Sequence, residues 1–256
     1  MNKINNITVI GTGVIGTGWV LRFLAFNKRV TAYDPSNKQK NYLKKELKRT
    51  KSSIEKLYNK KINTKNLVFS SNIKDAVSNA DLIQENVPER LNLKKKVIYQ
   101  LSQFAPKNSI IASSSSGLLP SALQSNCINP KRFVIAHPFN PVYILPLVEI
   151  VRGSKTSKTV MNEADKFYKN LHMKTLIVNK ELPGFLSDRL QEALWREGLH
   201  IINEGFATTK DLDEAITYGP GMRWALMGTF LTFHLAGGEM GMKHMLDQFG
   251  PALKLP

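Results

Sequence analysis

The chain is poor in cysteine and in acidic residues, and it has no long apolar run. Its 256 residues include a single cysteine, Cys127, which excludes an intrachain disulfide and a cysteine-rich metal site. No apolar stretch approaches the roughly 20 residues that a membrane helix needs, and the first residues lead into a strand pattern without a charged and apolar leader. We therefore expect a globular, cytoplasmic protein.

The scarcity of acidic residues leaves a large positive charge. Lysine and arginine number 36 against 20 aspartate and glutamate, for a formal net charge of +16. Clustered cations bind nucleic acid by releasing counterions, but here the lysines concentrate in residues 38–65 between apolar residues at near-helical spacing. That pattern predicts an amphipathic surface helix with a solvated face. We expect no nucleic-acid partner, because no recognised nucleic-acid module is present.

The start of the chain has the order strand, glycine turn, helix, strand. An apolar run at residues 7–10 ends at Gly11-Thr12-Gly13-Val14-Ile15-Gly16, and a helical pattern and a second apolar run lead to Asp34. In a dinucleotide fingerprint the first glycine permits the tight turn, the second lets the pyrophosphate approach, and the third lets the helix pack on the strand. The phosphates then bind at the helix N-terminus. This context predicts a dinucleotide site formed by residues 11–16.

Asp34 bears on which dinucleotide binds. A carboxylate at the end of the second strand accepts hydrogen bonds from the adenine-ribose 2′-hydroxyl and repels a 2′-phosphate, so we expect NAD as the cofactor. The alternative is a turn aspartate that precedes Pro35.

Further short apolar segments alternate with helical patterns up to about residue 178. These segments predict buried strands at 67–70, 82–84, 110–112, 133–136, 147–151 and 176–178. The alternation is typical of an α/β fold with a Rossmann-type doubly wound sheet. Pro183-Gly184-Phe185 interrupts the pattern, and helical spacing follows. We expect an NAD-binding domain at residues 1–183 and a smaller, all-helical substrate and dimerisation domain at residues 184–256.

His137 begins the segment His-Pro-Phe-Asn-Pro, and Glu149 follows twelve positions later. An imidazole exchanges a proton near neutral pH, and a carboxylate on its other nitrogen fixes the tautomer and stabilises the imidazolium. Beside a bound dinucleotide, this pair predicts hydride transfer from an alcohol with His137 as general base. The alternative is a core histidine and a strand-end charge. The other histidines form no recognisable metal-ligand motif, so we expect no metal.

The glycine fingerprint, the His137 segment and the Pro183-Gly184-Phe185 junction, in this order, resemble the 3-hydroxyacyl-CoA dehydrogenase family. The resemblance runs from about residue 5 to the last residue. It implies reversible, NAD-dependent oxidation of a secondary alcohol at carbon 3, and a homodimer formed by the helical domain. Segments 85–90, 137–149 and 219–256 are similar to the branch of the family that oxidises L-carnitine, a small-molecule substrate.

The resemblance implies four further site residues. It places the hydroxyl-binding serine at Ser116, within four consecutive serines, and a site asparagine at Asn140. It places NAD contacts at Glu89 and Lys94. The alternatives are that Ser116 is a capping serine, that Glu89 is a helix-start carboxylate and that Lys94 is a solvated lysine. We expect Ser116 and Asn140 to act with His137 and Glu149 in catalysis.

One position departs from the acyl-CoA members, which have an asparagine where this chain has Asp188. A carboxylate near the substrate suits a cation, although a salt bridge from Asp188 to Arg189 is an alternative. L-carnitine also needs a clamp for its carboxylate, for which we expect Arg223. Its quaternary ammonium needs aromatic faces, for which Trp224, Phe230 and Phe233 are the candidates; helically spaced aromatics are otherwise core residues.

Other readings remain open. The substrate could be an L-3-hydroxyacyl-CoA or a sugar acid such as L-gulonate, with the same chemistry. A non-catalytic NAD-binding protein is an alternative of another class, because the family resembles lens crystallins that keep its fold. Carnitine-oxidising members continue beyond the position of residue 256, so we expect the helical domain to be truncated here.

Overall fold

The chain forms two compact units, with the boundary in the sequence between Arg189 and Leu190. This is seen in a computed structural model that describes residues 4–253. A single helix, Ser187–Asn203, contains that boundary. The expected domain limit between residues 183 and 184 stays a prediction. No helix within the described residues is both long and apolar enough to cross a membrane.

The first unit is built on one eight-stranded sheet. Its strands are β1 (Asn6–Ile10), β2 (Arg29–Tyr33), β3 (Leu67–Phe69), β4 (Leu82–Glu85), β5 (Ile110–Ser113), β6 (Phe133–Pro138), β7 (Leu147–Val151) and β8 (Lys174–Val178). They lie in the order β3-β2-β1-β4-β5-β6-β7-β8. Neighbouring strands pair in parallel, except β6 and β7, which are antiparallel.

Helices cover both faces of this sheet. They are α1 (Val14–Ala25), α2 (Asn37–Tyr58), α3 (Ile73–Val77), α4 (Leu91–Phe104), α5 (Pro120–Gln124) and α6 (Lys158–Lys169). Successive strand residues point to opposite faces, so Ile110 packs in a core with α1, α2 and α6, while its neighbour Ile111 packs in a second core with α3, α4 and α5. The expected α/β, doubly wound architecture is confirmed.

The lysine-rich segment forms a shorter helix than the expected 38–65. Helix α2 ends at Tyr58 because Asn59 adopts the left-handed conformation, with φ 49°, and asparagine is one of the few residues that does so at little cost. A short 3-10 helix at Thr64–Asn66 follows. Leu43, Leu47 and Ile54 form the buried stripe of α2, and the intervening lysines face solvent.

The second unit is helical. Its helices are α7 (Ser187–Asn203), α8 (Thr209–Tyr218), α9 (Pro220–Trp224), α10 (Thr229–Ala236) and α11 (Met242–Phe249). Helix α8 begins with a capping box in which the side chains of Thr208 and Asp211 satisfy each other's backbone amides. Large apolar side chains of this unit are exposed: Leu226 and Phe230 are each 82% accessible.

Candidate active site

The glycine loop lies at the carboxyl end of β1, and its glycines meet different constraints. Gly11 has φ +81°, and a Cβ atom built there would lie 2.8 Å from the Asn86 carbonyl oxygen. A Cβ atom on Gly16 would lie 1.8 Å from the Gly11 carbonyl oxygen. A Cβ atom on Gly13 would meet no atom within 4 Å. The loop therefore excludes side chains by packing at Gly11 and Gly16, and leaves open space at Gly13.

The helix after this loop fits an anionic ligand. Gly13 is the N-cap of α1 and offers no side chain to the first amides of the helix, which have no intrahelical partners. These amides and the helix dipole favour a bound phosphate. The open space at Gly13 and the uncapped helix together fit the pyrophosphate of a dinucleotide.

Asp34 directly follows β2 and is tied to the same loop. Its Oδ2 accepts a hydrogen bond from the Thr12 amide at 2.8 Å, and its Oδ1 accepts one from the Ser36 amide at 2.9 Å. A carboxylate has about four acceptor positions, so Asp34 retains capacity for a ribose hydroxyl while it orders the turn. Contact between Asp34 and the ribose stays a prediction.

His137 and Glu149 form a direct pair across two antiparallel strands. They are register partners in β6 and β7, and the Nδ1 atom of His137 lies 2.9 Å from the Oε2 atom of Glu149. Glu149 is fully buried and His137 is 6% exposed. A carboxylate only accepts, so Nδ1 carries the hydrogen and the neutral ring presents the lone pair of Nε2.

The second oxygen of Glu149 is held by the junction after β8. Its Oε1 accepts hydrogen bonds from the amides of Leu186 and Ser187, both at 3.0 Å, and from the Ser187 hydroxyl at 3.2 Å. Burial raises the pKa of the Glu149 carboxyl, but the hydrogen bonds from His137 and from these two amides outweigh it and leave the pKa below its ordinary value. Glu149 is therefore held as a carboxylate beside the imidazole. Sequence reasoning missed these donors.

Two aromatic rings flank the imidazole. The ring centroids of Phe139 and Phe185 lie 5.2 and 5.6 Å from that of His137. Phe185 is fully buried although its φ is +49°, and Gly184 before it has φ +73°. These two left-handed residues turn the chain so that Phe185 packs on His137 while the next amides reach Glu149.

Asp188 faces the other nitrogen of the imidazole. Its Oδ2 lies 3.6 Å from His137 Nε2, and its side chain is 35% exposed. The alternative salt bridge to Arg189 does not form; that guanidinium instead donates to the Pro183 carbonyl at 3.4 Å. The structure thus brings His137, Glu149 and Asp188 together.

The four consecutive serines after β5 differ in their partners. The hydroxyls of Ser113, Ser114 and Ser115 donate to Glu85, Asn86 and Glu89, respectively. Ser116 is half-buried and makes no hydrogen bond within residues 4–253. It is the serine of this run whose hydroxyl is available to a ligand, and its role in binding the substrate hydroxyl stays a prediction.

Glu89 and Lys94 belong to one ion cluster with the buried Glu85. The Nζ atom of Lys94 lies 2.9 Å from Glu85 and 3.4 Å from Glu89, and both Lys94 and Glu85 are almost inaccessible. Burial raises the pKa of Glu89, but Ser115, Lys94 and the amides of Gly117 and Leu118 lower it below its ordinary value. Lys94 is therefore not a solvated lysine. Direct NAD contacts by either residue stay predictions.

A buried arginine that sequence reasoning missed forms hydrogen bonds to the loop after β6. Asn140 is exposed in this loop and precedes a cis proline, Pro141. Arg22 of α1 is fully buried and donates to the carbonyls of Val142, Leu171 and Leu145. It links the dinucleotide helix to the segment that carries Asn140. Its apolar surroundings in α1 gave no sequence signal for this role.

The remaining substrate candidates belong to the second unit. Arg223 and Trp224 lie at the end of α9, and Phe230 and Phe233 lie on α10. All four are exposed; the aromatic residues among them are therefore not core residues of this unit. Their roles in substrate binding stay predictions.

A Rossmann-type sheet with an open glycine loop after β1 and a histidine on β6 paired with a carboxylate on β7 defines the class of an NAD-dependent oxidoreductase that acts on an alcohol. Comparison with protein families agrees with this class. The profile of the 3-hydroxyacyl-CoA dehydrogenase NAD binding domain matches residues 6–182, and that of the 3-hydroxyacyl-CoA dehydrogenase C-terminal domain matches residues 184–255. The chain belongs to the 3-hydroxyacyl-CoA dehydrogenase family, its cofactor is NAD, and it is a dehydrogenase of CH–OH groups.

Individual proteins of known name are also similar. The L-carnitine dehydrogenase of Oceanobacillus iheyensis is 54% identical over 251 residues, which cover 98% of this chain and 82% of that protein. The L-carnitine dehydrogenase of Bacillus cereus is 51% identical over 256 residues, 100% of this chain and 78% of that protein. Among solved structures, an NAD+-dependent dismutase described as 5-formyl-3-hydroxy-2-methylpyridine 4-carboxylic acid 5-dehydrogenase superposes with a TM-score of 0.90 at 28% identity, over 99% of this chain and 82% of that one.

Proposed function

We propose that this chain oxidises L-carnitine to 3-dehydrocarnitine with NAD. The observation that carries the chemistry is the buried contact between His137 and Glu149, at 2.9 Å. His137 lies near the carboxyl end of β6, at the same edge of the sheet as the glycine loop after β1. The substrate rests on the L-carnitine dehydrogenases that are 54% and 51% identical over nearly the whole chain. The alignments with these proteins run through the helical part as well as the sheet, which favours a shared substrate over a shared fold alone.

The reaction divides between proton and hydride. His137 Nε2 takes the proton of the 3-hydroxyl, and the carbon–oxygen bond becomes a carbonyl. Bound NAD would accept the hydride that leaves carbon 3, so the two electrons of the C–H bond leave with it. Glu149 accepts from Nδ1 throughout and stabilises the imidazolium that proton transfer creates. His137 then returns the proton to solvent, or to the carbonyl oxygen when the reaction runs backwards.

The surrounding residues orient the hydroxyl and the cofactor. Ser116 has a hydroxyl without a protein partner among the described residues, and it binds the reacting oxygen. Asn140, in the loop after β6, contributes its side-chain amide near the same reacting oxygen. For the cofactor, residues 11–16 and the first amides of α1 hold the pyrophosphate, and Asp34 accepts from the ribose. Glu89, charged and anchored by Lys94, lies in the loop after β4, on the same sheet edge.

The helical domain, which we place at residues 184–256, supplies the groups that bind the two charged ends of the substrate in this proposal. Arg223 clamps the carboxylate of carnitine with two parallel hydrogen bonds. Trp224, Phe230 and Phe233 offer aromatic faces to the quaternary ammonium, which has no N–H group to donate.

A substrate panel tests this function. NADH formation is measured with L-carnitine, L-3-hydroxybutyryl-CoA and L-gulonate, with NAD or NADP as acceptor. We expect turnover with L-carnitine and NAD, and a preference for NAD over NADP because Asp34 repels a 2′-phosphate. Turnover of another substrate with carnitine inert would refute the substrate. Binding of NAD without turnover of any of the three would favour the non-catalytic, crystallin-like alternative.

We also propose that the protein is a cytoplasmic homodimer whose subunits meet through the helical unit. Phe206, Leu226 and Phe230 are each about four-fifths exposed, which is costly for apolar side chains unless another surface covers them. A second copy supplies a matching apolar surface by symmetry. Light scattering of the purified chain is expected to give twice the monomer mass, and Leu226→Ser is expected to lower it; a monomer at all concentrations would refute this.

A further inference from the structure

Two carboxylates flank the imidazole of His137, one on each nitrogen. Glu149 binds Nδ1 at 2.9 Å, and Asp188 lies 3.6 Å from Nε2. The second distance is too long for a hydrogen bond, and it lies on the side where the substrate's hydroxyl must approach. Asp188 therefore borders the position of the reacting carbon.

The charges around this position do not balance when the ring is neutral, as a general base must be. Glu149 and Asp188 then carry two negative charges, and within residues 4–189 Asp188 forms an ion pair only with His137. Arg189, the adjacent base, is turned towards the Pro183 carbonyl. Burial raises the pKa of Asp188, and the charge of Glu149 raises it further, while His137 acts in the opposite direction. When the imidazole is neutral, no cationic side chain within residues 4–189 pairs with Asp188.

We propose that Asp188 determines substrate specificity by binding a positive charge that lies next to the hydroxyl-bearing carbon. This rests on the proposed function, in which that charge is the quaternary ammonium of L-carnitine. One methylene separates the ammonium from the reacting carbon, so a hydroxyl at Nε2 brings the cation close to Asp188. A quaternary ammonium cannot donate a hydrogen bond and needs only nearby negative charge, which Asp188 provides because it accepts no hydrogen bond from the described residues.

The test compares L-carnitine with its neutral isostere, 3-hydroxy-5,5-dimethylhexanoate of the same configuration, in which carbon replaces nitrogen. The ratio of the two kcat/KM values isolates the contribution of the charge, because shape and reacting group are shared. The variants are Asp188→Asn, which removes the charge, and Asp188→Glu, which keeps it. Asp75→Asn is the matched control, because Asp75 is exposed on α3. Thermal unfolding verifies that each variant is folded.

We expect the carnitine-to-isostere ratio to fall by about 10- to 100-fold in Asp188→Asn, in line with the coupling of close charge pairs reduced by partial exposure. Asp188→Glu should restore much of the preference, and Asp75→Asn should keep the wild-type ratio. If Asp188 only stabilised the imidazolium, Asp188→Asn would slow both substrates equally, and an unchanged ratio would overturn the inference alone. A wild-type chain that leaves carnitine unoxidised would overturn the proposed function and this inference with it.

Discussion

The replacement Glu149→Gln keeps the shape of the side chain and removes its charge. In the wild type, Oε2 accepts from His137 Nδ1 and Oε1 accepts from the amides of Leu186 and Ser187. A carboxamide has one oxygen and one nitrogen, so it cannot accept at both ends. With its oxygen on the two amides, its NH2 group faces Nδ1 and selects the tautomer that carries hydrogen on Nε2.

That tautomer cannot take a proton from the substrate, and the imidazolium loses its charged partner. General base catalysis contributes about 10²- to 10⁴-fold, so kcat should fall by about that factor, which corresponds to about 3–5 kcal/mol of activation free energy. The KM for NAD should be retained, because Glu149 lies on β7, four strands from β1 and its glycine loop in the sheet order.

The assay is the initial rate of NADH formation with saturating L-carnitine, together with NAD titration and thermal unfolding. Glu163→Gln is the matched control: Glu163 pairs with Arg132 at 2.9 Å on α6, and its loss should leave kcat unchanged. A folded Glu149→Gln variant with kcat within an order of magnitude of wild type would refute the proposed role of the pair.

The remaining predictions concern the glycine loop, stability at acidic pH and the buried Arg22 that supports the loop after β6. Gly13→Ala should keep the melting temperature and raise the KM for NAD, because its Cβ atom meets no protein atom. Gly16→Ala should lower both stability and NAD affinity, because its Cβ atom would lie 1.8 Å from a carbonyl oxygen. Equal melting temperatures of the two variants would contradict this. The lowered pKa of Glu149 means that its contribution to stability is complete above the ordinary value of about 4.3 and is lost as the pH falls through the folded-state pKa. Denaturant titrations should therefore show the stability advantage over Glu149→Gln shrinking on acidification, and an advantage that grows would argue against it. Arg22→Met should lower the free energy of unfolding by several kcal/mol, since it removes the donor from the two buried carbonyls of Val142 and Leu171, at about 1–3 kcal/mol each; a loss below about 1 kcal/mol would show that water replaces the guanidinium.

Local patterns predicted most of the sheet but not its directions. Short apolar runs at 110–112 and 133–136 became β5 and β6 because a strand buried on both faces reads as a continuous apolar segment. Nothing in the run at 147–151 shows that β7 runs antiparallel to β6. That direction is decided by how the chain returns to the sheet, and it sets the register that pairs His137 with Glu149.

The candidate site was predicted unevenly for a similar reason. The glycine loop and the His137 segment are each one short continuous stretch of sequence. The spacing of residues within each stretch is therefore enough to predict its role. Ser116 was ambiguous among four serines, and only the structure shows that the hydroxyls of Ser113, Ser114 and Ser115 are already bonded to β4 and the loop after it. The support that Arg22 gives to the loop after β6 spans 120 residues and leaves no local pattern.

Sequence alone determined the fold class and the family and predicted the chemistry-bearing residues, because glycine geometry, strand and helix periodicity and motif spacing are local properties of a chain. The tertiary structure alone decided which partners those residues have. It placed Asp188 against Nε2 of His137 rather than against Arg189, and it gave Glu149 its amide donors from residues 186 and 187. Such contacts join segments far apart in sequence, so they follow from packing and strand direction and not from any local pattern.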